Sequence, residues 1–246
     1  MFCRKSKQWF ILKTACLVFV IQMGQFSYGQ QPRFQHFTSD QGLSENVVYS
    51  IIQDKKGFLW IGTWDGLNRY DGYRFKKFYH KASDTTSVAG NTIFSLYEDE
   101  DGTIWIGTNG GLCRYDPLTG KFSKAFRFQN SINGNVMRIT PLSTTELLIQ
   151  TFNGIYCFNT RSREGQPVPV EINGKVSLFS NLGIPYKNDK GQTCLADSKG
   201  LLIYNSVRKI FQPDNARFFN SLSWNKLNIS HMAIDKKKQY WIASND

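Results

Sequence analysis

The chain is 246 residues long and carries 30 Lys and Arg against 19 Asp and Glu, a formal net charge of +11, with three histidines and five cysteines. Four of the basic residues and none of the acidic ones fall in the first 29 positions. The remainder holds 26 against 19, a net +7, without the basic stripe that a nucleic-acid backbone requires. Cys3 and Cys16 lie in the same leader, and the other three, Cys113, Cys157 and Cys194, are an odd number with no close spacing, which argues against a disulfide framework or a zinc site.

In chain order, the first segment belongs to its own physical regime. Arg4, Lys5, Lys7 and Lys13 make a positive start, Thr14 to Met23 is an apolar run, and Ser27-Tyr28-Gly29 places small residues at cleavage offsets, so residues 1–29 read as a secretory signal peptide. The run is short for a bilayer span of about 20 apolar residues, so no membrane span is expected after cleavage, and the mature protein should begin at Gln30 or Gln31.

Next comes a pattern stated twice. Residues 54–71 read DKKGFLWIGTWDGLNRYD and residues 99–116 read DEDGTIWIGTNGGLCRYD, a recurrence after 45 residues. A repeat of that length is a supersecondary unit. Within one unit, Val47 to Gln53 is apolar and β-branched, Phe58 to Thr63 and Leu67 to Tyr70 are further strands, and Tyr73 to Tyr79 is a fourth. Asp54-Lys55-Lys56-Gly57, Trp64-Asp65-Gly66 and Asp71-Gly72 carry the turns between them.

Three fainter copies follow. Leu148-Ile149-Gln150-Thr151 with Gly154-Ile155 is a third, Cys194-Leu195-Ala196-Asp197 with Gly200-Leu201 a fourth, and Trp241-Ile242-Ala243-Ser244 opens a fifth. Four antiparallel strands in a period near 45 is the arithmetic of a β-propeller. The expected fold is therefore all-β, a partial propeller of about five four-stranded blades occupying residues 30–246. Strands such as Phe58-Leu59-Trp60-Ile61, lacking polar alternation, are expected to be covered on both faces. Gly62 and Gly107 should sit where a side chain would crowd a neighbour. Trp60, Trp105 and Trp241 recur in register, which points to packing between blades, and the three remaining cysteines fall in strands as ordinary core residues.

Candidate ligand contacts follow from the same map. Asn46, Asn91, Asn135, Asn181 and Asn228 each precede a unit's first strand, and strand alternation puts them on the face that also carries the second turn of each unit. That turn holds Trp64 and Asp65, Asn109, and Phe152 and Asn153. Asn side chains commonly bond nearby backbone in such loops. The alternative is a polar and stacking surface for a sugar, built from Asn46, Trp64, Asp65, Asn91, Asn109, Asn135, Phe152 and Asn153. Asp54, Asp99 and Asp189 recur in the first turn and are expected to cap its amides. The Asp99-Glu100-Asp101-Gly102 tract lacks the closing carboxylate of a calcium loop, so no metal is expected. Nor does any phosphate loop or nucleophile elbow point to a cofactor or to catalysis. His36, His80 and His231 stand at non-equivalent points of the repeat, and Lys236-Lys237-Lys238 reads as a solvated turn.

The stretch Phe37-Thr38-Ser39-Asp40-Gln41-Gly42-Leu43-Ser44, with Ile51-Ile52-Gln53-Asp54, Gly57-Phe58-Leu59-Trp60-Ile61-Gly62-Thr63 and Asp65-Gly66-Leu67-Asn68-Arg69-Tyr70-Asp71-Gly72, resembles the start of the two-component regulator propeller proteins. These are the periplasmic sensor regions of Bacteroidetes hybrid histidine kinases. The likeness is strong over residues 34–128 and degenerate over 136–246. It implies a seven-bladed ring in which a first strand, here about Arg33 to Phe37, completes the last blade. It also implies a periplasmic location with inner-membrane anchoring of the full-length relatives, a possible homodimer, and an oligosaccharide or other periplasmic ligand that switches a kinase. The chain ends at Asp246, within what would be the second turn of blade five, so the sequence reads as a truncated sensor portion with no kinase part. A protein-interaction scaffold, or a glycan-active hydrolase or lyase, is the alternative class.

Overall fold

Twenty strands and one 3-10 turn, Ser39–Gln41, make up the regular structure of the described residues. The structure is a computed structural model that describes residues 35–125, 134–172, 174–178, 185–188, 190–197, 200–213, 229–234 and 240–244. The 1–29 leader, Asn181, Asp189, Ser198, Lys199, Asn228, the Lys236–238 turn, Asn245 and Asp246 lie outside them. Residues 35–37 form no strand, and the rest of the expected closing strand is likewise outside.

The first sheet runs β1 (Val48–Gln53), β2 (Leu59–Thr63), β3 (Leu67–Tyr70), β4 (Phe75–Phe78), each strand antiparallel to the next. The second repeats it as β5 (Ile93–Glu98), β6 (Ile104–Thr108), β7 (Gly111–Asp116) and β8 (Lys121–Lys124). The third is β9 (Val136–Pro141), β10 (Glu146–Thr151), β11 (Gly154–Asn159) and β12 (Gly165–Pro167). These are blades: the first strands β1, β5 and β9 lie side by side, and each sheet faces the next.

The fourth sheet departs from the expected four strands. A hairpin of β13 (Val170–Ile172) and β14 (Lys175–Ser177) joins β15 (Pro185–Lys187), β16 (Thr193–Asp197), β17 (Gly200–Asn205) and β18 (Ile210–Pro213) to give six. The added hairpin attaches through a parallel pairing of Val170 with Phe211. Both residues are buried there. Of the fifth blade, β19 (Ile229–Ile234) and β20 (Tyr240–Ser244) pair antiparallel. The described blades do not close into a ring.

The core lies between blades. Trp60, Leu67 and partly buried Phe78 of the first blade meet Ile104, Ile106, Cys113, Tyr115 and Phe122 of the second. The other face of the second blade presents Trp105 and Leu112 to Leu147, Ile149 and Phe158 of the third. Leu148 and Ile155 then meet Leu195, Leu202 and Phe211 of the fourth. The Trp60 ring sits 4.8 Å from Tyr115, and Trp105 sits 5.4 Å from Phe158, so one aromatic contact recurs at successive junctions. Gly62 and Gly107 behave as expected. A Cβ on Gly62 would come within 2.7 Å of Ile93 Cγ2, and one on Gly107 within 2.6 Å of the Val136 carbonyl.

Each buried tryptophan has its own polar solution. Trp60 and Trp105 are 1% exposed. Burying an aromatic of roughly 200 Å² gains up to about 5 kcal/mol at 25 cal/mol per Å². An indole N–H left unpaired would forfeit about 1–3 kcal/mol of it. Asp54 prevents this. Its Oδ2 accepts from Trp60 Nε1 at 2.7 Å while Oδ1 accepts from the Lys56 and Phe58 amides at 2.9 Å, holding the first turn. Asp99 does the same for Trp105 Nε1 at 2.8 Å and for the Asp101 and Thr103 amides.

Where the tryptophan is lost, its acceptor changes with it. The third blade has Leu148 in the Trp60 register and Leu142 six residues earlier, both apolar. The fourth has Cys194, with Asn188 six residues earlier accepting from the Lys190 and Gln192 amides. Asn188 thus caps the first turn of the fourth blade, and Asp189, for which a cap was expected, lies outside the described residues.

A second linked pair of positions joins blades through the first strands. Ser50 Oγ accepts from the Leu96 amide at 3.2 Å, and Ser95 Oγ accepts from the Ile139 amide at 3.1 Å. The next position in this series is Arg138, and the residue in the register of its would-be donor is Pro185, which has no N–H to give. Acceptor and donor are lost together.

Two substitutions test this account by urea unfolding. Asp54→Ala should lower stability by about 1–3 kcal/mol, and the loss should shrink when Trp60→Phe removes the stranded N–H. Gly107→Ala should also destabilise, by about 1–3 kcal/mol, because the new methyl meets backbone of the next blade.

Candidate functional site

The turns between second and third strands share one construction. Thr63 Oγ1 donates to the Gly66 carbonyl at 2.8 Å, Thr108 Oγ1 to Gly111 at 2.8 Å, and Thr151 Oγ1 to Gly154 at 3.1 Å. The three glycines have φ of 109°, 109° and 149°, which disfavour a side chain. With its two flanking residues tied down, each turn pushes its tip residues outward. Trp64 is 57% exposed and Phe152 60%, and Asp65, Asn109 and Asn153 are also exposed.

The expected shared face exists for the first two blades. Trp64 N donates to the Val47 carbonyl at 2.9 Å and Gly66 N to the Asn91 carbonyl at 2.7 Å, tying the turn of one blade to the lead-in loop of the next. Asn109 lies beside that loop, its N donating to the Thr92 carbonyl at 3.1 Å and its Oδ1 accepting from Thr92 N at 3.3 Å. Phe152 and Asn153 tip the third blade, where Asn153 N donates to Thr151 Oγ1. Asn135 is half-buried just before β9.

Two of the asparagines have local work. Asn46 Oδ1 accepts from Ser39 N at 2.8 Å, and Asn91 Oδ1 accepts from His80 N at 2.7 Å. Each folds the lead-in loop back on itself, the common role of Asn in turns. His80 is held in the same loop, its Nδ1 2.8 Å from the Val88 carbonyl.

The geometry adds residues that the sequence reading passed over. In β1, Val48 pairs with Thr63 and Ser50 with Gly62, which leaves Tyr49 as an extra, bulged residue. Phe94 in β5 and Met137 in β9 occupy the same irregularity. A bulge re-aims its side chain. Here it brings the Tyr49 ring 5.5 Å from Phe94 and 6.3 Å from Trp64, with Tyr49 43% exposed. Tyr49, Phe94, Trp64 and Asp65 thus form an aromatic rim with one carboxylate beside it. The available signal was the recurrence of bulky residues at 49, 94 and 137, hidden inside what read as regular strands.

Among the described residues no group of three or more His, Cys, Asp or Glu could hold a metal ion. Burial pushes the Cys113 thiol up to about 12 and raises Cys157 as well. The carboxylates of Asp71 and Asp116 lie below the usual range chiefly because backbone amides bond them, and that of Asp84 because the Thr86 hydroxyl does. A depressed carboxylate stabilises the fold above its unfolded pKa and ceases to do so as pH falls through the folded value. These three hold turns at neutral pH and release them in acid.

The description "Two component regulator propeller" fits residues 42–65 and 87–110, the two copies of the same unit. A stretch of 56 residues is 48% identical to histidine kinase P4 of Formosa agariphila, covering 23% of this chain and 4% of that protein. Among solved structures, the extracellular domain described as belonging to the hybrid two-component system BT4673 of B. thetaiotaomicron aligns with a TM-score of 0.65 at 20% identity, over 87% of this chain and 31% of that one. Virginiamycin B lyase of Staphylococcus aureus aligns at 0.57 with 13% identity, over 83% and 64%. The chain thus spans under a third of the sensor structure it matches, and these likenesses establish a propeller fold. No helix among the described residues is long and apolar enough to cross a membrane.

Burial of Cys113 gives a chemical check. Alkylation of the native protein at pH 8 followed by mass spectrometry should leave Cys113 unmodified, and prior denaturation should expose it.

Proposed function

We propose that this chain, a two component regulator propeller by its repeats and its fold, is an extracytoplasmic ligand-sensing region of a hybrid two-component sensor, located in the periplasm. Its ligand is an oligosaccharide received at the rim, and the domain works by binding, without catalysis. The observation that carries this reading is the aromatic run of exposed Trp64 and Tyr49 with half-buried Phe94, beside Asp65. Aromatic faces cover the apolar side of a sugar ring, while the carboxylate and the nearby Asn109 offer polar groups to its hydroxyls. Where ligand binding favours one of two arrangements of a sensor dimer, the difference in affinity is the signal.

The charge pattern supports a neutral or mildly polar ligand here and no nucleic acid, since the rim side chains named carry a single charge, that of Asp65. The signal-like leader supports export. A protein-binding scaffold is the second reading, favoured by Val47, Val48 and Ile51, which stand exposed around β1 together with Tyr49.

A glycan array with the wild-type chain, Trp64→Ala and Tyr49→Ala separates the two. Saturable binding of an oligosaccharide, weakened about tenfold or more by either substitution, is expected, in keeping with about 1–3 kcal/mol for one stacking aromatic. Silence across the array, with capture of a periplasmic protein that Ile51→Lys abolishes, would replace it with the scaffold reading.

A further inference from the structure

Where the chain leaves β4 and crosses to β5, the loop at residues 79–90 lies along the outer edge of the second blade, and the Phe122 amide of β8 donates to the Thr86 carbonyl at 3.1 Å. Between this loop and the two outer strands is a recess of about 320 Å³. Its apolar lining is buried Val88 and Phe122 with half-buried Phe78, the two rings meeting edge to face at 5.2 Å, and Tyr79 stands exposed beside them. The charged lining is Lys77 of β4, Lys81 of the loop, Lys121 of β8 and a single carboxylate, Asp84.

The lysines outnumber the acid. Asp84 keeps its charge, for its Oδ1 accepts from the Thr86 hydroxyl at 2.6 Å and amide at 2.9 Å, and its carboxyl lies below the usual range first through those bonds and then through Lys81 and Lys121. It offsets one ammonium of the three. None of the three makes an ion pair or a side-chain hydrogen bond with a described residue. Counting both outer strands in full does not restore the balance, since Lys76 and Lys124 are two further cations, Asp116 opposite Lys121 is one further anion, and Arg74 is paired with Asp71.

Guarding a free strand edge is a common use of such lysines, and it accounts for Lys77 on β4. It does not account for Lys121, whose strand edge the loop already meets at Phe122, or for Lys81 on the loop itself. Like charges drawn from three separate segments repel one another. Their convergence costs stability that no contact of the fold offsets.

We propose that this recess binds a phosphate monoester carried on a single ring. Lys77, Lys81 and Lys121 give ammonium donors to the phosphate oxygens, in the point-charge manner by which lysine holds phosphate, and the apolar lining covers the ring. Charge matching selects the ester. The lining holds three lysines against one aspartate, a phosphate monoester carries about −1.5 to −2 at pH 7, and a carboxylate or a sulfate ester carries a single charge. The volume suits one ring with its substituent, near the lower end of small-molecule sites. The site uses none of the rim residues and stands or falls without them.

Calorimetric titration of the full chain with glucose 6-phosphate, phenyl phosphate, inorganic phosphate, glucose 6-sulfate and glucose tests the proposal. At least one of the two ring phosphates should bind saturably, and more tightly than inorganic phosphate or glucose 6-sulfate. Lys81→Gln and Lys121→Gln should each weaken that binding about tenfold or more. Lys175→Gln, on exposed β14, and Trp64→Ala, at the rim, should leave it unchanged. Glucose 6-phosphate against phenyl phosphate tells a sugar ring from an aromatic one. No saturation by either ring phosphate, inorganic phosphate or glucose 6-sulfate binding as tightly, glucose binding that the lysine substitutions weaken, or affinity indifferent to either substitution overturns the proposal. Each substituted lysine is exposed, and an unchanged urea midpoint tells lost binding from lost folding.

Discussion

No blade of this protein can bury both faces by itself, and this constraint shapes nearly every residue choice described above. The three apolar clusters are each assembled from two successive sheets. Stability in such an arrangement is held in nearest-neighbour interfaces. The paired changes follow from it. A tryptophan can enter an interface only with an acceptor for its N–H, so Trp60 comes with Asp54 and Trp105 with Asp99, while Leu148 comes with Leu142. A serine can bridge first strands only where the next strand has an amide to offer, so Arg138 stands opposite the register of Pro185.

Much of this was legible because the repeat writes its turns in residue types with a single physical use. Gly66 and Gly111 require positive φ, Gly62 and Gly107 require close approach, and Asp54 and Asp99 require amides to cap. Strand positions in the first unit follow the sequence reading to within two residues at each end. The bulges were not legible, since Tyr49 and Phe94 satisfy the composition of an ordinary strand and only the pairing partner reveals the extra residue. The added hairpin had a visible signal, Val170 to Ser177 with Asn173-Gly174 at its centre, which a four-strand template passes over. Its parallel attachment to β18 is non-local, and no local pattern encodes it.

The two ends of the blades have divided their chemistry accordingly. At the first-turn end, Asp54 and Asp99 are consumed by structure, and the Arg69 guanidinium stacks on the Phe58 ring. At the other end the turns close on threonine hydroxyls, leaving tip residues such as Trp64 with no structural duty. Sequence reasoning found the tips because they vary against a fixed background. Arginine recurs as Arg69 and Arg114, and only the cross-strand neighbour, Lys76 against Ser123, tells the two apart.

The linked losses at Leu142, Leu148, Arg138 and Pro185 have a kinetic corollary. The junction between the first two blades keeps both its indole clasp and its serine bridge, whereas the junction between the third and fourth keeps neither. Under load or heat such a chain frays from the weaker seam toward the stronger one. The junction between the second and third blades keeps both devices as well, so the weak seam lies beyond the third blade.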